Sequence, residues 1–187
     1  MNIATVMTRP KAWMEYRIPF LSMKEGTHPY HFEVGDDFFS AREASLIKAA
    51  HLDVDVAFDK RDDHHFELTF HLKGHYHVPC DRCLDEFDLP VEGRFVLRVE
   101  RKDAPPSDDE DLLYLPLYAH EVDISEYIYQ YAHMLMPFRK VCAMGDKACD
   151  PEMEKLIAKY SSQSHPHLIK SDSHGTSETQ DLESTEG

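Results

Sequence analysis

A chain of 187 residues is long enough for one domain with a substantial core plus tails, and an apolar share of 42% is that of a globular protein. The net charge of −15 excludes broad, non-specific attraction to nucleic acid, which needs clustered Lys and Arg, and favours a partner with a basic surface. No run of about 18 apolar residues is present, so no segment reads as a membrane-spanning helix.

Residues 1–14 carry Arg9 and Lys11 but no apolar run, so they read as a flexible lead-in rather than a secretory signal, with Met14 as an alternative start. With no export signal and four cysteines, a reducing cytoplasm is the expected compartment and stable disulfides are not expected. Arg17 to Phe20 and Tyr30 to Val34 read as short strands, with Lys24-Glu25-Gly26-Thr27 as the turn between them. Ser40 followed by Glu43 forms a small capping box and predicts a helix to about Ala50.

The middle of the chain alternates with period two. Leu52, Val54, Val56 and Phe58 mark one half-buried strand, and Arg61-Asp62-Asp63 the turn after it. Phe66 to Val78 alternate in the same way, with a bulge or bend expected at Gly74. Leu89 to Val99 repeat the pattern, so an antiparallel meander covered on one face is expected. Residues 103–111 (DAPPSDDED) form an acidic, proline-containing loop before a short strand at Leu112 to Leu117. Asp123 with Glu126 caps a helix whose apolar face is Ile124, Tyr127, Ile128, Tyr131 and Leu135, ended by Pro137. Tyr129 falls on another face of that helix. Asp150-Pro151 starts a further helix with Met153, Leu156, Ile157 and Tyr160 as its stripe. Residues 161–187 are polar and acidic and cannot bury enough surface to fold, so they read as a disordered tail after a domain at 15–160.

The chemistry-bearing candidates are the cysteines. Cys80 and Cys83 stand two residues apart between two strand patterns, a spacing that can grip one tetrahedral Zn2+. A complete site needs two more ligands, which Cys142 and Cys149 could supply, although six residues separate that pair. His120, His133 and the strand histidines are alternative ligands. The thiols could instead be small buried apolar groups. A thioredoxin-like redox pair fits less well. Its first Cys belongs at a helix N-terminus, and Asp81, Asp85 and Glu86 would raise the thiol pKa with only Arg82 opposing. His71, His75 and His77 share a strand face and read as a solvated face, because no carboxylate pattern in the sequence orients the rings. No Gly-rich phosphate loop, serine nucleophile elbow or His-Glu-x-x-His is present, so no catalytic residue is assigned.

The stretch CDRCLDEFDLPVEGRFVLRV resembles the signature of the bacterial YceD family, the large ribosomal RNA subunit accumulation proteins, at Cys80, Arg82, Cys83, Leu84 and Phe87. EVDISEYIYQYAHMLMP is similar to the family's later helix, with Asp123 and Pro137 in the matching places, and FLSMKEGTHPYHFEVGDDFF is similar to its opening strands. The resemblance spans residues 16–157 loosely. It implies a cytoplasmic, non-enzymatic protein needed for normal levels or processing of large-subunit (23S) rRNA. It also implies a further Cys or His cluster after the late proline, echoed here by Cys142 and Cys149.

The expectation is therefore an α+β domain: a curved antiparallel β-sheet or meander with two or three packed helices and a disordered acidic C-terminal tail. Its leading role is in ribosome assembly or rRNA accumulation, docked on a ribosomal protein or assembly factor with a basic surface. Large-subunit rRNA would be contacted indirectly, with Arg82 the candidate binding residue unless it pairs with Asp81, Asp85 or Asp88. Cys80, Cys83, Cys142 and Cys149 are the candidate metal ligands, for Zn2+. The rival readings are a zinc-binding protein-interaction module unrelated to ribosomes and a thiol oxidoreductase.

Overall fold

The computed structural model describes residues 15–42 and 45–161. The lead 1–14, Glu43 of the expected capping box and residues 162–187 of the expected tail lie outside the described residues. Two compact units divide between Asp150 and Pro151.

The first unit is α+β. Its elements are β1 (Arg17–Pro19), β2 (Gly26–Val34), α1 (Asp36–Ser40), β3 (Ala49–Lys60), β4 (His65–Pro79), β5 (Glu86–Arg101), β6 (Leu112–Leu115), β7 (Glu121–Asp123), α2 (Ser125–Met134) and a 3-10 turn at Cys142–Gly145. The main sheet has the order β2-β3-β4-β5-β6. Its first three pairings are antiparallel, as the meander pattern requires, whereas β6 joins β5 in parallel. The sheet is therefore mixed, a difference that alternation within single strands cannot reveal. β1 does not pair with β2 across the 24–27 turn; it pairs with β7 in a separate two-stranded sheet, where Arg17 bonds Glu121 at 2.7 Å.

The alternating apolar residues bury on one face. Leu52, Val54, Phe58, Leu68, Phe70 and Leu72 have almost no accessible surface. α2 closes this face through Ile128, Tyr131 and Ala132. The Tyr131 ring stacks on Phe95 with 4.3 Å between centroids, and the Tyr76 hydroxyl donates to the Ala132 carbonyl at 2.7 Å. That second contact gives the buried phenol a partner, which a core tyrosine needs.

Three local expectations are corrected. The short helix lies before Ser40, not after it. Gly35 is its N-cap, Phe38 and Phe39 are buried on it, and β3 already begins at Ala49. The helix propensity of Ala49 and Ala50 loses to their pairing with His77 and Tyr76. Gly74 makes no bulge, since the β3–β4 register runs unbroken from Ala49↔His77 to Lys60↔Phe66. Glycine is required there because a Cβ would lie 2.0 Å from the His51 carbonyl oxygen. At the start of α2 the N-cap is Ile124 rather than Asp123, which ends β7 and accepts the Ser125 N–H at 3.0 Å from one residue further back. Glu126 turns instead to an ion pair with Arg42.

The described part of the second unit is one helix, α3 (Pro151–Ser161). Proline opens it, Glu152 and Glu154 lie in its first turn and Lys159 in its last, and none of its residues is buried. No helix among the described residues is long and apolar enough to cross a membrane.

Candidate metal centre

The turn between β4 and β5 is a knuckle. The Cys80 N–H donates to the Asp85 carbonyl at 2.9 Å and the Leu84 N–H to the Cys80 carbonyl at 3.0 Å, closing Cys80–Asp85 into a tight loop. The reversal needs a left-handed residue, and Leu84 takes it at φ 66° with its side chain exposed. Both thiols point inward and are buried.

A second segment reaches the knuckle from the end of α2. After Pro137 the chain meets Asp81, whose N–H donates to the Lys140 carbonyl at 2.7 Å and whose carboxylate accepts the Lys140 N–H at 2.6 Å. These bonds place Cys142 at the start of the 3-10 turn, where it is buried. Asp146 then reverses the chain in the left-handed region at φ 53°. Gly145 lies against β5 so closely that a Cβ would be 2.3 Å from the Asp88 carbonyl oxygen. Lys147 fixes the return, donating its ammonium to the Glu86 carbonyl at 2.7 Å. Cys149 is thereby delivered to Cys80.

The four sulfur atoms all lie within 4.8 Å of one another. Cys83 and Cys142, 59 positions apart, are 3.5 Å apart at sulfur, and Cys80 and Cys149, 69 positions apart, are 3.9 Å apart. All four are free thiols. Four sulfurs at about 2.3 Å from a common tetrahedral centre would stand about 3.8 Å apart, so the donor set and its spacing fit Zn2+.

The electrostatics point the same way. Burial alone would raise the Cys80 thiol, yet the backbone N–H groups of Cys83, Arg82 and Cys142 converge on its sulfur and bring it down to about 6. The carboxylates that the sequence sets beside it do not decide its pKa; the N–H groups do. Cys142 is pushed well up, first by burial and then by the neighbouring thiols, and Cys149 is raised for the same reasons. Four packed sulfurs cannot all carry charge unaided, whereas a divalent cation among them favours the thiolates.

The other candidates sit elsewhere. His133 donates its Nδ1–H to the Tyr129 carbonyl at 2.8 Å and meets the Ser45 hydroxyl at Nε2, and among the described residues no histidine joins the four sulfurs. Arg82 is exposed at the knuckle tip, with its N–H 3.4 Å from the Cys80 sulfur. His71 and His77 lie on the outer sheet face, as their spacing predicts, but carboxylates do orient them: Glu92 at 2.7 Å and Asp88 at 2.9 Å. Those partners come from β5, so a reading confined to β4 misses them. The same face brings His31, Glu33 and Asp53 together in the open, with Asp55 on the His31 ring at 2.8 Å.

Residues 68–176, more than half of the chain, match the model of the family described as large ribosomal RNA subunit accumulation protein YceD. The chain belongs to the YceD family. No curated protein and no solved structure matches it. Both cysteine pairs fall inside the matched span, as do β5, β6 and α2. The opening strands up to residue 67 lie outside it. The family's description gives a role in accumulation of large-subunit rRNA, and it names no reaction.

Proposed function

We propose that this YceD protein is a non-enzymatic, cytoplasmic factor in large-subunit ribosome assembly, held in its working shape by Zn2+ on Cys80, Cys83, Cys142 and Cys149. The observation that carries the metal is the gathering of four sulfurs within 4.8 Å from two distant segments. The family match supports the ribosomal role. Four thiolates fill a tetrahedral ion and leave no position for a water, so the metal would supply a cross-link rather than hydrolytic chemistry. Cys80 and Cys83 hold the knuckle, and Cys142 and Cys149 tie the chain beyond Pro137 to it. The joined segments display Leu84, Phe138 and Met144 to solvent with Arg82 beside them. Redox turnover is a poorer reading, because the one thiol with a depressed pKa, Cys80, is fully buried. With a net charge of −15, the chain favours docking on a basic ribosomal protein or assembly factor over broad contact with rRNA.

The test is a deletion strain complemented with the wild type or with Cys83→Ser. Deletion should lower large-subunit rRNA, the wild type should restore it and the serine variant should not. Normal subunit profiles in the deletion strain would sink the ribosomal role. Full rescue by Cys83→Ser would sink the part assigned to the metal.

A further inference from the structure

β6 is an edge strand whose sequence, Leu112-Leu113-Tyr114-Leu115, has no polar residue, and all four side chains are only half-buried. Soluble proteins guard such edges, because an apolar strand with a row of unpaired backbone groups invites another strand. Beside it lies a groove of about 840 Å³, between β6, the loop at 104–110 and α2. Leu113, Leu115, Tyr127 and Met134 line its apolar part, and Asp109 and Glu110 stand on its rim. Met134 is two-thirds exposed. The loop that leads into β6 carries four consecutive acids, residues 108–111. Arg98 pairs with Asp109 at 2.8 Å, while Asp108, Glu110 and Asp111 make no ion pair among the described residues.

We propose that β6 and this groove bind an extended, Lys/Arg-rich peptide segment that adds a strand to the sheet edge. The Leu112 N–H and the Leu115 carbonyl are already bonded, to Asp109 and Lys102, so the remaining backbone groups of β6 that face away from β5 supply the ladder, and alternate apolar side chains of the guest enter the groove. Its cationic side chains meet the acids of 108–111, and the charge of the whole chain steers it there. This rests on the ribosome-assembly reading above and names its partner class: a basic, extended tail of a protein rather than a nucleic acid, whose phosphates the acidic rim would repel.

The experiment uses the full-length, zinc-loaded protein and a synthetic peptide alternating Lys or Arg with Leu or Val. A twin with Glu at every cationic position is the control. The cationic peptide should bind, more weakly as salt rises, with amide shifts centred on Leu112–Leu115. The twin should not bind. The exposed double variant Asp108→Lys/Glu110→Lys should weaken binding about tenfold or more. Equal binding by the double variant, or shifts centred on the cysteine knuckle, would overturn the proposal. Self-association that blocks the peptide would also overturn it, in favour of a second copy on this edge. In the complemented strain the two readings separate. Normal rRNA with the double variant defeats the groove alone, whereas normal rRNA in the deletion strain defeats the assembly role.

Discussion

The cysteine centre and the outer histidine face use metal-binding residue types in opposite ways. Cys80 and Cys142 are far apart in sequence and are gathered into one buried point. His71, His75 and His77 are close in sequence, yet β-strand geometry spreads them along an exposed face. There His71 and His77 each take a carboxylate from β5, and His75 stands against His51 of β3. Closeness in sequence along a strand yields separate exposed pairs, whereas convergence of two turns yields a cluster. The energetic stakes differ accordingly. Packed thiols without a cation crowd negative charge or protons in the dark of the core, while water screens each exposed pair.

That difference is sharpest under chelation. Removing the metal from the wild type is expected to cost several kcal/mol, a fall in melting temperature on the order of 10 °C for a chain of this length. Thermal unfolding with and without chelator checks it. The His71→Ala/His77→Ala double variant should leave the midpoint unchanged; a comparable fall would erase the distinction between the two regions. Next in size is Gly145→Ala. Its Cβ would collide with the Asp88 carbonyl, so a loss of about 2 kcal/mol is expected, together with weaker zinc retention in competition with a chelating dye. Unchanged retention would show that the 142–149 loop is not what delivers Cys149.

The smallest effect is on the outer face. The hydrogen bond to Asp88 raises the His77 pKa above 6.5, and the same bond holds Asp88 below 3.8. The His77 contribution to stability is therefore complete below 6.5 and is lost as pH rises through the folded-state value. The Asp88 contribution is present above 3.8 and is lost as pH falls through its own lower value. Asp88→Asn should bring the His77 titration, followed by NMR, back down toward 6.5. A His77 midpoint unmoved by that change would mean that the pair does not form in solution.

Much of the fold is legible in the chain because burial with period two runs along most of β3, β4 and β5. The partner of a short strand is not written that way. β1 finds β7 across more than a hundred residues, and β6 joins β5 in parallel, choices made by tertiary packing. Gly74 was legible as a special position but not as to kind, since the approach of the His51 carbonyl depends on a neighbouring strand. At the metal centre the Cys80/Cys83 turn stood out by spacing. Cys142 and Cys149 are legible as the completing pair by residue type and not by spacing, because Asp146 and Gly145 shape a loop longer than the usual knuckle. The depressed Cys80 thiol was invisible for a similar reason: one of its three N–H donors, that of Cys142, comes from the distant segment.

The most direct test of the account is the metal content of untagged protein purified without chelator, with Cys80→Ser and Cys142→Ser beside it. The account predicts one zinc per chain in the wild type, ringed by four sulfurs at about 2.3 Å in X-ray absorption, and loss of that zinc in both variants. A metal-free wild type, or zinc kept by Cys142→Ser, would contradict the claim that one ion joins the two segments.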